Sequence, residues 1–187
     1  ENLVIQNGLA EGGWPASVGG GMFNNNNSSP TLNNCTFTNN WADGSGGGMD
    51  NYDGSSPTLN NCTFTNNSAD SGGGMDNYLN CNPTLNNCTF VNNSATDGFG
   101  GGIENYSNSN PTLTNTVVCS NSPDQISGGY ADDGGNCITE ACDTDGDGTL
   151  DCEDPYPNCP YDWDCSEDST ITVAVGQSIQ LAIDAVP

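Results

Sequence analysis

Ser29-Pro30-Thr31-Leu32-Asn33-Asn34-Cys35-Thr36-Phe37-Thr38-Asn39-Asn40 is one copy of a segment that returns along the chain. It reappears as Ser56 to Asn67, as Asn82 to Asn93 and, in decayed form, as Asn110 to Asn121. Pro30, Pro57, Pro83 and Pro111 set the spacing at 27, 26 and 28 residues. Between the copies runs a second block, Gly46-Gly47-Gly48-Met49-Asp50-Asn51, repeated as Gly72 to Asn77 and Gly100 to Asn105, with Gly19-Gly20-Gly21-Met22-Phe23-Asn24 as its first copy. Residues 2 to 7 match Asn34 to Asn39 and open an incomplete first turn.

Each period divides into three short extended runs separated by Gly, Asn, Asp and Ser, which supply turns and left-handed backbone positions. Cys35 to Asn39 alternates, so Cys35 and Phe37 share one side of a strand. Met49 and Asn51 do the same in the second run, and Leu32 anchors the third. No run can build a core alone. Stacked copies give each apolar residue a like neighbour about 4.8 Å above and below, the spacing of paired strands. The expected columns are Leu3, Cys35, Cys62, Cys88 and Thr116; Ile5, Phe37, Phe64, Phe90 and Val118; and Met22, Met49, Met75 and Ile103.

A period of 26 to 28 residues is too long for a hexapeptide β-helix coil and too short for a propeller blade. It predicts an all-β fold, a right-handed parallel β-helix with three strands per coil over residues 1–138. The GGGM-N and SPTLNNCTF segments resemble the β-helix repeat proteins of the pectin-lyase-like superfamily, in particular bacterial surface and secreted members. The resemblance covers residues 1–138, and SNSPDQISGGYADDGGNC at its end is similar to the closing segment of such domains. That superfamily includes lyases, hydrolases, adhesins and passive stalks, so the resemblance implies a fold and leaves activity open.

The 187 residues include 24 Asp and Glu and no Lys, Arg or His, a formal charge of −24. No internal salt bridge can form. Each carboxylate must be solvated, protonated or paired with a cation from outside. Nucleic acid and anionic membranes are excluded as direct partners, because both need Lys or Arg against phosphate. Basic partners remain open, and no stretch is long or apolar enough to insert in a membrane. Ten Cys point to an oxidising, extracellular or cell-surface location. Residues 1 to 20 lack a basic n-region, so a secretory signal would have been removed upstream of Glu1.

Asp143-Thr144-Asp145-Gly146-Asp147-Gly148-Thr149-Leu150-Asp151-Cys152-Glu153-Asp154 puts carboxylates at loop positions 1, 3, 5, 9 and 12 with glycine at position 6. Hard oxygen ligands on alternate residues, with a glycine at the sharp turn, are what Ca²⁺ with six to eight ligands demands. A solvated acidic linker is the plain alternative. No helix-forming run flanks the loop, and position 12 is Asp154 rather than the bidentate Glu of an EF-hand. The loop looks more like a thrombospondin type 3 calcium repeat, followed by Asn158-Cys159-Pro160. That resemblance implies Asp143, Asp145, Asp147, Asp151 and Asp154 as ligands, with a backbone carbonyl from Thr149. Asp162, Asp164 and Asp168 form a partial second set. Residues 139–168 are thus read as a Cys-rich calcium-binding linker.

Asp50, Asp76 and Glu104 follow the inward Met or Ile and stack on the outer face of one strand. Like charges opposite one another destabilise a sheet. They are read as solvated and screened, with a cation ladder or a hydrolase carboxylate pair as the sharper alternatives. The lyases of the superfamily use a basic Lys or Arg that this chain lacks, and no cationic group is there to orient a substrate, so the chain is read as not an enzyme. For a carbohydrate-binding surface, Trp14, Trp41 and Phe99, all placed in turns, are the only aromatic candidates.

Cys35, Cys62 and Cys88 are read as buried small hydrophobes. Cys137, Cys142, Cys152, Cys159 and Cys165 lie in loop-rich sequence where disulfides replace burial, with Cys119 and Cys81 as further partners and the connectivity open. Asn39, Asn66 and Asn92 or their neighbours are expected to form buried amide ladders. The Asn-x-Ser/Thr acceptors at Asn26, Asn27, Asn34, Asn61, Asn66, Asn87, Asn92 and Asn105 are what an Asn-rich chain carries by chance.

Residues 169–187 read as a strand and an amphipathic helix, with Ile179, Ala182, Ile183 and Val186 on one face and Ser178 as N-cap. This pair resembles the beginning of a pectin-lyase-like domain. Glu1 begins mid-coil with nothing to cover Leu3 and Ile5, and a solenoid end without a cap exposes core. The expected partner is therefore a second copy, its tail laid on the open coil, which makes a head-to-tail filament stiffened by calcium. The alternatives are a stalk segment of a longer multi-solenoid protein and a polysaccharide-binding adhesin.

Overall fold

Asparagine makes the corners of the molecule. Asn34, Asn61, Asn87 and Asn115 take left-handed backbone angles, with φ of 53, 54, 51 and 47°. Asn39, Asn66 and Asn92 do the same one strand later, at 54, 55 and 54°. Asparagine tolerates this region better than other residues with a Cβ, and one such residue between two extended runs turns the chain sharply. Strands of two to four residues follow from corners this closely spaced.

In the computed structural model, which describes residues 2–97, 99–144, 146 and 149–153, these runs wind into coils. The first holds β1 (Val4–Gln6), β2 (Leu9–Ala10), β3 (Met22–Asn24) and β4 (Thr31–Asn33). The second holds β5 (Thr36–Thr38), β6 (Trp41–Ala42), β7 (Met49–Tyr52) and β8 (Thr58–Asn60). The third holds β9 (Thr63–Thr65), β10 (Ser68–Ala69), β11 (Met75–Tyr78) and β12 (Thr84–Asn86). The fourth holds β13 (Thr89–Val91), β14 (Ser94–Ala95), β15 (Ile103–Tyr106) and β16 (Thr112–Thr114). Last come β17 (Val117–Cys119), β18 (Ile126–Ser127), β19 (Ala131–Asp132) and β20 (Cys137–Thr139).

Every pairing is parallel and joins one coil to the next, giving sheets ordered β1-β5-β9-β13-β17-β20, β2-β6-β10-β14, β3-β7-β11-β15-β18 and β4-β8-β12-β16-β19. The sheet β2-β6-β10-β14 is an addition to the three strands per coil read from sequence. Its members are two residues long, too short to show alternation, and they carry Trp41 into a strand rather than a turn.

The columns form in the expected register. Ile5, Phe37, Phe64, Phe90 and Val118 pair in succession, as do Met22, Met49, Met75 and Ile103. Leu32, Leu59, Leu85 and Leu113 make a third column. All pack in one core with Cys35, Cys62 and Cys88. The three phenylalanine rings lie face to face, 4.5 Å between centroids and within 3° of parallel. Each fully buried aliphatic or Phe side chain contributes about 1.5 to 3 kcal/mol relative to exposure.

Polar columns run beside the apolar ones. Asn40, Asn67, Asn93 and Asn121 are joined by Nδ2–H donating to the next Oδ1 at 2.9, 3.0 and 2.9 Å, and Asn121 ends the series on Gln125 Oε1 at 2.9 Å. Asn24, Asn51, Asn77 and Asn105 form a second series at 2.9, 2.8 and 2.8 Å. The ladder falls on the neighbours of Asn39, Asn66 and Asn92 rather than on those residues themselves. Alternation from Phe37 would put Asn39 inward, but its left-handed corner consumes one step and sends Asn40 inward instead.

The chain divides into two compact units, Glu1–Cys142 and Asp143–Pro187. The solenoid occupies the first, closed on itself by a Cys119–Cys142 disulfide. This gives Cys119 the partner that the sequence leaves open. The expected strand and helix of residues 169–187, including Ile179, Ala182, Ile183 and Val186, lie outside the described residues.

Candidate functional site

The segments Met49-Asp50-Asn51-Tyr52, Met75-Asp76-Asn77-Tyr78 and Ile103-Glu104-Asn105-Tyr106 form the central strands of one sheet. Met or Ile and Asn point into the core, so the acid and the tyrosine share the outer face. The register places Asp50 beside Asp76 and Asp76 beside Glu104, and likewise Tyr52, Tyr78 and Tyr106 in a parallel column. The acidic ladder read from sequence is therefore present.

Its expected solvation is not. Asp50 is 2% exposed and Asp76 0%. The cover comes from the glycine block one turn earlier. Gly46, Gly72 and Gly100 have φ of 66, 58 and 55° and fold back so closely that a Cβ on each would lie 2.6 to 2.8 Å from the following acid's Cβ or Cα. Ser45 Oγ donates to Asp50 Oδ2, and Ser71 Oγ to Asp76 Oδ2 at 3.4 Å. Asp50 Oδ1, Asp76 Oδ1 and Glu104 Oε2 are buried without a hydrogen-bond partner.

The electrostatic outcome follows from burial. Desolvation lifts the Asp50 carboxyl from 3.8 to about 6, against the opposing hydrogen bond from Ser45. Asp76 is pushed well above the usual carboxylate range, first by burial and then by the charges of Asp50 and Glu104. The Tyr106 phenol is also raised, by burial and then by the same carboxylates.

Asp50 is the one acid of the three that lines an open cleft of about 320 Å³, together with Trp14, Val18, Ser45, Tyr52, Tyr78 and Tyr106. Trp14 and Tyr52 sit 5.6 Å apart at 52°, Tyr52 and Tyr78 5.2 Å apart at 56°, and Tyr78 stacks on Tyr106 at 4.4 Å. The aromatic group on an outer face is thus built from the tyrosine column and Trp14, not from Trp14, Trp41 and Phe99. The missed signal was a tyrosine two residues beyond each acid in all three copies.

Of the calcium loop, Asp143, Thr149 and Asp151 are described, whereas Asp145, Asp147, Asp154, Asp162, Asp164 and Asp168 lie outside the described residues. Gly146 N–H donates to Asp143 Oδ1 at 2.7 Å. Thr144 donates to Asp151 through its N–H at 2.7 Å and its hydroxyl at 2.6 Å. Within the solenoid, Cys35, Cys62, Cys81 and Cys88 are buried free thiols.

Residues 1–144 match the model of a family described as the right handed beta helix region. The chain belongs to the right-handed β-helix family. No curated protein and no solved structure matches it. The family assignment fixes the hand of a solenoid whose parallel pairings are described above, and it agrees with the right-handed crossover that parallel strands prefer.

Proposed function

We propose that this β-helix is an extracellular structural protein, a subunit of a head-to-tail filament or surface fibre, and not an enzyme. The observation that carries the reading is the uniformity of the stack. From the second coil to the fourth, each presents the same strands, amide ladder and apolar columns to its neighbour, so a further coil of like sequence would find matching partners there. In this reading a second copy supplies it, through Ile179, Ala182, Ile183 and Val186. Calcium in the loop from Asp143 to Asp154 stiffens the connection.

Against catalysis stands the burial of Asp76, which leaves Asp50 as the acid of the ladder that lines the cleft. A hydrolase with two carboxylates needs both beside the scissile bond. A second reading, a polysaccharide-binding adhesin or stalk segment of the pectin-lyase-like type, is favoured by the tyrosine column, because sugars lie on aromatic faces. Electron microscopy of the full chain in calcium and after EGTA discriminates. Linear polymers that lose order on chelation are expected. Single particles at high concentration in calcium would overturn the filament, and their retention on immobilised polysaccharide would carry the adhesin.

A further inference from the structure

Three carboxyls meet in one column, and the sequence contains no Lys, Arg or His to answer them. Burial takes Asp50 and Asp76 out of contact with bulk solvent, and Oδ1 of each accepts no hydrogen bond from a protein donor. A desolvated carboxylate without a counter-charge is costly. Its neutraliser is a proton or a cation from outside, and Asp50 is the acid of the three that borders the open cleft.

The walls of the cleft decide which cation. Calcium takes six to eight oxygens, and among the described residues no three acidic, thiol or imidazole groups are placed to hold a metal. Four aromatic rings, Val18 and Ser45 line the cleft beside Asp50 instead. Trp14 is tilted against Tyr52 by 52° and Tyr52 against Tyr78 by 56°, so their faces turn in different directions, while Tyr106 stacks on Tyr78 at 23°. Aromatic faces carry negative charge density and attract organic cations, and aromatic cages are how quaternary and alkylated ammonium groups are recognised. A cleft of about 320 Å³ is within the range of small-ligand sites.

We propose that this cleft binds an organic ammonium group, with Trp14, Tyr52 and Tyr78 presenting their rings and the Asp50 carboxylate supplying the counter-charge. A neutral sugar would use the same rings but leave the buried carboxylate unanswered. The site lies on the lateral face of the sheet and does not depend on how coils join end to end.

Isothermal titration calorimetry on the full chain tests this with two probes, choline for the quaternary class and Nα-acetyl-lysine methylamide for the primary amine of a protein partner. Saturable binding of at least one is expected, weakened about tenfold or more by Asp50→Asn and by Tyr52→Ala, the size of a desolvated cation–π contact. Asp50→Asn keeps the shape and removes a buried charge, and circular dichroism confirms that it folds. If choline alone binds, the ligand is a quaternary ammonium; if the lysine probe binds, it is a basic protein segment. No saturable heat from either probe at millimolar concentration overturns the proposal, as does binding that Asp50→Asn leaves unchanged. Calcium or a neutral maltooligosaccharide that binds in place of the ammonium probes, and is lost in Asp50→Asn or Tyr52→Ala, also overturns it.

Discussion

A single buried carboxyl sets an unusual response to acid. Asp50 titrates near 6 in the fold against 3.8 when free, and Asp76 is raised further in the same direction. At these two groups the native state holds protons more tightly than the unfolded chain, so their contribution to stability is full below about pH 4 and is lost as pH rises through 6. For Asp50 the difference is on the order of 3 kcal/mol at neutral pH. The groups around it are its strand neighbours Phe23 and Asp76, Cys81, and Trp14, Val18, Ser45, Tyr52, Tyr78 and Tyr106 in the cleft, and none of them is basic. Scanning calorimetry across this range is expected to show Tm rising on acidification from neutral pH. Asp50→Asn and Asp76→Asn should raise Tm at pH 7 and flatten the profile. Asp43→Asn, at an exposed site with the same change in charge, should do neither. The ladder itself was legible in the sequence because spacing alone puts the acids in register. Their burial was not, because it depends on the backbone of Gly46, Gly72 and Gly100 folding over the strand, and glycine spelling in a turn does not say which way the turn leans.

At the scale of one strand and its corner, the amide ladder is the element most open to test. Asn67 Oδ1 accepts from Asn40, and Asn67 Nδ2 donates to Asn93 and to the Phe37 carbonyl at 3.0 Å. Asn67→Ala would strand buried donors and acceptors on both neighbouring coils, each costing about 1 to 3 kcal/mol. A total loss of at least about 3 kcal/mol is expected, read from the urea midpoint with unchanged m. Asn66→Ala removes no ladder bond, and its cost should be the smaller penalty, about 1 kcal/mol, of a Cβ-bearing residue held at φ 55°. Strand positions were readable because Cys35, Phe37 and Leu32 alternate within a run. Corners were harder: a left-handed residue shifts the parity of everything after it, which moved the ladder from Asn39 to Asn40. Two-residue strands such as Ser68–Ala69 carry no period at all.

Over the whole solenoid, interchangeable coils predict tolerance to loss of one. Excising residues 62–87 joins Asn61 to Cys88 and places β13 against β5, with Phe on Phe and Thr on Thr. The shortened chain is expected to fold with the same circular dichroism and with its solenoid shorter by about 4.8 Å, measured by small-angle scattering. The same likeness shapes the route to the native state. A chain that skips a coil while folding meets nearly all the contacts it would meet in the correct order, so its landscape holds a close rival beside the true minimum. The irregular residues become the marks by which the right alignment is recognised. Gln125 ends the amide series after Asn121, Val118 replaces phenylalanine, and Thr116 stands where Cys35, Cys62 and Cys88 stand in the coils before. The decay of the last repeat is in this sense information: it tells the chain where to stop counting.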